Sequence, residues 1–216
     1  MQITKYAHAC LLIEENGVRI IADPGNWNPL PDATDVAAVL ITHEHGDHCD
    51  EEQIKQILAK NPSARVISHA AVAEILGKVG VTVEVLEEGS TTDVNGVSIS
   101  SHGHDHAIIY GDVPPCRNSG YLIGGTLFLP GDALHTVPPG KIAALALPVG
   151  GPWMKLAEAI DYAKSVAPAL VFPIHDAMYQ EMYRSMLIKR IIGGQLEAAG
   201  ITFHDLPAGG TLQVSA

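Results

Sequence analysis

Short runs rich in apolar and β-branched residues open the chain at 2–6, 10–14 and 18–23, and Glu15-Asn16-Gly17 separates the second from the third. Runs of this length joined by tight turns predict an antiparallel meander. A proline-rich loop at 26–32 follows, and then residues 37–42 form an unbroken apolar run that stops abruptly at polar residues. Such a run predicts a central strand buried on both faces. Asp50, with Gln53 three positions later, predicts the start of a helix that continues to about Lys60 and is stopped by Asn61-Pro62.

Strands are predicted next at 65–68, before a short helix, and at 81–86, 91–94, 97–101, 108–110, 121–123 and 126–129. The second half repeats this outline. An apolar run at 143–148 precedes a glycine loop and an amphipathic helix at about 154–166, then a strand at 170–173, a helix from 177 to about 192, and strands at 201–203 and 212–214. Two face-to-face sheets with helices outside each satisfy this order, and no linker or low-complexity segment divides it. Residues 1–216 are therefore expected to form one domain.

Composition narrows the function. With 24 acidic and 13 basic residues, the formal charge is −11. That disfavours generic nucleic-acid binding and polybasic membrane attachment. No apolar stretch approaches the ~20 residues of a spanning helix, and no secretory leader is visible, so a cytoplasmic location is expected. The three cysteines, Cys10, Cys49 and Cys116, are odd in number and far apart, which predicts reduced thiols. The unusual feature is histidine, with 11 residues.

Five of the seven residues Thr42-His43-Glu44-His45-Gly46-Asp47-His48 are imidazoles or carboxylates, directly after a buried strand. Extended backbone points His43 and His45 to one side, Glu44 to the other, and Gly46 permits the turn that brings Asp47 and His48 round to an adjacent point. This spacing suits two neighbouring divalent ions, the first on His43 and His45, the second on Asp47 and His48. A solvated histidine-rich loop is the alternative, but it would leave many donors and acceptors unpaired.

The pattern His43-x-His45-x-Asp47-His48 resembles the signature of metallo-β-lactamase-fold hydrolases. Tyr6-Ala7-His8-Ala9-Cys10 and Ile21-Ala22-Asp23-Pro24-Gly25 resemble segments of the ascorbate-6-phosphate-lactonase-like branch, with Ala7 where that branch has glycine. Gly131-Asp132, Leu147-Pro148 and Phe172-Pro173-Ile174-His175-Asp176 continue the likeness. The resemblance implies an α+β protein, a four-layer αββα sandwich of the metallo-β-lactamase fold, with all these loops at one edge. It also implies ligands: His43, His45 and a mid-chain histidine for the first metal, Asp47, His48 and His175 for the second, and Asp132 bridging. The run His106-Ala107-Ile108-Ile109-Tyr110-Gly111-Asp112-Val113-Pro114 resembles a branch segment whose leading histidine is the ligand, which favours His106, with His104 as the alternative. His102 is expected to be buried or behind the ligands.

Two divalent ions, zinc foremost and manganese or iron otherwise, less two aspartates and a hydroxide, leave a locally cationic pocket in an acidic protein. The expected activity is hydrolysis of a small anionic ester, lactone or phosphodiester by a metal-bound hydroxide. Asp47 and Asp132 would hold the centre, and His8 or His135 would serve as proton donor. Trp153, Met154 and Trp27 are candidates for the substrate wall, and Asp23 for orienting a ligand imidazole. His69 and His204 are expected at the surface or satisfied in the core. The alternatives are a nuclease of the same fold, which 216 residues at −11 leave little room for, and a metal-binding protein without turnover. The expected partner is a small-molecule substrate, and oligomeric state is not encoded in any motif.

Overall fold

The computed structural model describes residues 1–111, 113 and 116–215. Strands β1 (Gln2–Ala7), β2 (Cys10–Glu15) and β3 (Val18–Ala22) form the predicted antiparallel meander. Strand β4 (Val36–Leu40) pairs parallel to β3, and β5 (Arg65–Ser68) and β6 (Val83–Val85) add parallel strands beyond it. Helix α1 (Glu51–Lys60) starts at Asp50, whose side chain accepts the Gln53 backbone N–H at 2.8 Å. Helix α2 (Ala70–Gly77) follows β5.

The second sheet begins with the antiparallel strands β7 (Thr91–Val94), β8 (Val97–His102), β9 (Gly120–Ile123) and β10 (Leu127–Leu129). Parallel strands β11 (Ala144–Pro148), β12 (Leu170–Ile174) and β13 (Thr202–Phe203) extend it, while β14 (Thr211–Gln213) returns to pair with β1. Two seven-stranded mixed sheets result, ordered β14-β1-β2-β3-β4-β5-β6 and β13-β12-β11-β10-β9-β8-β7.

Burial makes the layers explicit. Ile3, Ile13, Ile20 and Leu40 of the first sheet pack with Ile99, Tyr121, Ile123 and Phe172 of the second. The outer face of the first sheet packs Val39 and Val66 on Ile54 and Ile57 of α1 and Leu76 of α2. That of the second packs Leu145 and Val171 on Ala159 and Ala163 of α3 (Leu156–Val166) and on Ile188 and Ile192. The architecture is the αββα sandwich of the metallo-β-lactamase fold. Among the described residues no helix is long and apolar enough to cross a membrane.

Three expectations fail locally. Residues 108–110 are not a strand: the chain leaves the sheet after His102, and its backbone bonds to loops instead, with Ala107 N–H donating to Asp132 O and Asn118 N–H to His104 O. Asp112 and Pro114 of the 106–114 run lie outside the described residues. The last long helix begins four residues later than predicted, because Ala177 N–H is directed to His8 Nδ1 and Tyr179 N–H closes a turn on Asp176 O. It runs as α4 (Glu181–Tyr183), a π-helical stretch (Arg184–Gly193) and α5 (Gly194–Ala198). Helix α3 starts at Leu156, since the residues before it turn to bring Trp153 toward the histidines.

Candidate metal centre

All the motif residues sit at one edge, where β3, β4, β10 and β12 end. His8 lies in the β1–β2 turn, Asp23 just after β3, and residues 43–48 in the loop beyond β4. His106 follows β8, Asp132 follows β10 and His175 follows β12. The second sheet is held against the first here by direct bonds. Ser119 N–H donates to Thr42 O (2.9 Å), Tyr121 Oη–H to Ile41 O (3.0 Å), and His175 N–H to His8 O (3.0 Å).

Backbone geometry admits little variation at this edge. Asp23, His8 and His175 adopt φ of +46°, +44° and +59°, in a region that L-residues populate sparingly. Gly25 lies flat against the Asp47 peptide, and a Cβ at Gly25 would overlap the Asp47 carbonyl. Gly131, at φ +63°, leaves no room for a side chain beside Asn118 and Thr42. Asn118 is buried and clamps that turn, its Oδ1 accepting Asp132 N–H (3.0 Å) and its Nδ2 donating to Pro130 O (2.8 Å).

Two groups of potential ligands result. In one, His43, His45, His106 and Asp132 bring ligand atoms within 4.8 Å of one another; in the other, His8, Asp47, His48 and His175 do the same. Asp132 faces both groups: its Oδ2 is 3.1 Å from His175 Nε2 and 3.4 Å from His106 Nε2, and its Oδ1 is 3.3 Å from His48 Nε2. Asp47 Oδ2 is 3.4 Å from His175 Nε2. The structure thus brings together His43, His45, Asp47, His48, His106, Asp132 and His175. His104 is outside, half-exposed with Nδ1 2.7 Å from Asp105 Oδ1. His102 is half-buried on Ser100 Oγ and lies behind no ligand.

Hydrogen bonds from the outer ring nitrogens fix which nitrogen faces inward. Asp23 accepts Thr42 N–H, Thr42 Oγ1–H and His48 Nδ1–H, each at 2.8 Å, so His48 turns Nε2 toward Asp132. His43 Nδ1–H donates to Thr42 Oγ1 (3.0 Å) and His106 Nδ1–H to Ala107 O (2.5 Å), which leaves both Nε2 atoms as acceptors. His43 Nε2 then faces His45 Nδ1 at 3.1 Å. Buried His48 Nε2, His106 Nε2, His175 Nε2 and Asp132 Oδ1 have no hydrogen-bond partner. Converging, buried and unpartnered lone pairs are costly unless a cation receives them. The donor set therefore fits divalent metal.

Burial works against protonation of these imidazoles, and at His48 and His175 the Asp132 carboxylate outweighs it and raises the pKa. Burial holds the His43 pKa well below the usual imidazole value, aided by His48, and burial also lowers that of His45. For Asp132, burial works against ionisation, but His48 and His175 outweigh it and keep the carboxylate ionised. Asp47 is part-buried, which also works against ionisation, but the adjacent imidazoles of His175 and His8, the latter donating to it, hold its pKa below the usual carboxylate range. Burial pushes the Cys49 and Cys116 thiols up to about 12, so both remain protonated. Cys49 packs in the core beneath α1.

The remaining candidates divide. His8 accepts Ala177 N–H on Nδ1 (3.4 Å), so its Nε2–H donates to Asp47 Oδ2 (3.1 Å), and Trp27 covers its ring at 4.7 Å. Trp153 is buried, 5.7 Å from His106 and 5.8 Å from His175 between ring centres. Met154 instead packs on the outer apolar layer of the second sheet. His135 is exposed on a cavity that His106 and Trp153 also line. His204 is exposed, whereas His69 is buried with neither ring nitrogen bonded, contrary to expectation; Glu44 Oε2 lies 3.7 Å from its Nε2.

Several supporting residues have no motif. Lys5 is fully buried, its Nζ donating to Pro173 O (2.8 Å) and to Asp176 Oδ1 (2.6 Å). Arg184 Nε reaches Asp176 Oδ2 (3.0 Å) and Arg184 Nη1 reaches Asp205 (2.6 Å), which anchors the residue after His175. Lys5 shares strand parity with buried Ile3, the one signal in the sequence that it points inward. Gln53 ties α1 to the loop at Gly25 O and Asn28 O, 3.0 Å each, and Cys116 Sγ lies 3.7 Å from His45 Nε2.

A sandwich with paired ligand groups at one edge defines a class, the metal-dependent hydrolases built on this fold. Residues 2–175 match the family described as the beta-lactamase superfamily domain, and the chain belongs to that family. Protein Rv0786c of Mycobacterium tuberculosis is 36% identical over 197 residues, covering 88% of this chain and 91% of its own. A UPF0173 metal-dependent hydrolase of Methanocaldococcus jannaschii is 26% identical over 192 residues, covering 80% and 83%. Among solved structures, Igni18, a metallo hydrolase from Ignicoccus hospitalis, superimposes with a TM-score of 0.72 at 21% identity, over 98% of this chain and 97% of that one.

Proposed function

We propose that this metal-dependent hydrolase works with two divalent cations, zinc foremost, on a small-molecule ester, lactone or phosphodiester. The carrying observation is the set of buried, unpartnered ligand atoms converging from both sheets. His43, His45 and His106 would hold one cation, Asp47, His48 and His175 the other, and Asp132, facing both groups, would be shared. When bound, such cations polarise a carbonyl or phosphoryl oxygen and make a ligated water nucleophilic near neutral pH.

The chain's own residues do the rest. Asp23 holds His48 in the tautomer that offers Nε2, and Asn118 fixes the turn that presents Asp132. His8, donating Nε2–H to Asp47, orients that carboxylate. His135, exposed on the adjoining cavity, would give a proton to a leaving group. Trp153 walls the site from the side of His106 and His175, and Trp27 from the side of His8. The lactonase-like motifs place lactones beside phosphodiesters and simple esters in the substrate panel.

Elemental analysis of protein purified without added metal tests this. About two ions per chain are expected, with loss of metal and activity in His45→Ala and Asp132→Ala and retention of both in His104→Ala. No metal even after reconstitution would overturn the reading. Two ions with no turnover of any panel member would leave a binding protein in its place.

A further inference from the structure

Beside the ligand cluster lies a cavity of about 550 Å³, within the range of small-molecule sites. His106 and Trp153 belong to both, so a substrate held at the metal centre has this cavity as its next compartment. Its wall is apolar, made by Ala107, Ile108 and Leu134 with the Trp153 ring. Ile108 is 68% exposed and begins a loop whose next residues, Ile109 and Tyr110, also face solvent, so the apolar surface continues past the mouth.

The charged residues on this cavity are both acidic. Asp105 is bonded to His104 Nδ1, and Glu158 accepts Lys155 N–H at 2.8 Å. Lys155 Nζ is 4.0 Å from Glu158 on an 84% exposed side chain, a pair that solvent screens. Among the described residues lining the cavity there is no lysine or arginine. The local positive charge of the proposed metal centre attracts the scissile group, and the imidazole left on this wall, His135, is exposed to solvent and outnumbered by the two carboxylates.

We infer that the cavity formed by Ala107, Ile108, Leu134 and Trp153 receives an uncharged, apolar substituent of the substrate and rejects one carrying a distal anion. This rests on the proposed metal centre and replaces the anionic small molecule expected from charge alone with one whose far end is apolar. A distal carboxylate would lose its hydration against apolar side chains and face two like charges.

The test uses hexanoate and adipate, two chains of equal length that share one carboxylate and differ only at the far end. Binding to the metal-loaded protein is measured by calorimetry, with an ester of each acid as substrate in parallel. Hexanoate should bind about tenfold more tightly than adipate, a difference of ~1.4 kcal/mol. Ile108→Lys, at an exposed position, should shrink that ratio severalfold. Equal or tighter binding of adipate, or binding of neither acid, would overturn the inference. Discrimination between the acids in a protein that hydrolyses neither ester would keep the cavity assignment and remove simple esters from the proposed substrates.

Discussion

Replacing Asp176 with alanine should destabilise the protein more than replacing Lys5 with methionine, although the two side chains form one ion pair. Lys5 is 0% and Asp176 6% exposed. Without Asp176 the buried ammonium retains only Pro173 O, at 2.8 Å. Removing one partner of a buried pair costs about 3–5 kcal/mol, because the surviving charge is uncompensated. Without Lys5 the carboxylate keeps Arg184 Nε at 3.0 Å, so the cost should fall to about 1–3 kcal/mol. For a chain of this size, roughly 2–4 °C per kcal/mol converts the larger figure to ~6–20 °C in Tm. Urea and thermal unfolding of wild type, both single variants and the double variant would measure this. Each is run with excess metal and with chelator, since a bound cation adds stability by mass action. The double variant should lose less than the two single losses combined, by about 1–3 kcal/mol. Additivity within ~0.5 kcal/mol, or a larger loss in Lys5→Met, would refute the reasoning.

Three further outcomes are expected. Asp23→Asn leaves one acceptor oxygen, which Thr42 N–H claims, and turns an amide NH2 toward His48 Nδ1; it should weaken metal affinity about 10–100-fold, read by competition with a chromophoric chelator, with the fold retained by circular dichroism. Gly25→Ala forces a Cβ into the Asp47 carbonyl, so metal stoichiometry should fall below that of wild type in whatever protein remains folded; full occupancy would show that the loop can yield. Chelation should lower Tm and adding metal back should restore it, by ~2.7 kcal/mol of stability when free metal is 100 times Kd.

Features governed by near neighbours were legible in the sequence. The 43–48 cluster, the Asp50 cap and the β1–β3 meander depend on spacing within a few residues, and each is found as expected. The choice between His104 and His106 was not legible from parity, because β8 ends at His102 and alternation no longer governs the residues after it. Residues 108–110 have the composition of a strand, yet they form an exposed loop, since propensity does not supply a neighbouring strand to pair with. Lys5, Asn118 and Cys116 support the site across long sequence separations. Lys5 meets Asp176 from 171 positions away, a partnership that no local pattern announces.

The contacts at the ends of β4 and β12 also govern the entropy of the chain. The His175 N–H to His8 O bond joins residues far apart in sequence, and a cation shared by His48 and His175 would close a second loop of more than 100 residues. A crosslink over such a span removes freedom from the unfolded chain worth about 5 kcal/mol in the loop-closure account. That freedom grows only logarithmically with length, about 0.6 kcal/mol for each doubling. Lengthening the 86–90 connection between the two sheets by several residues should therefore change stability little, while opening the tie at the metal edge forfeits the whole constraint.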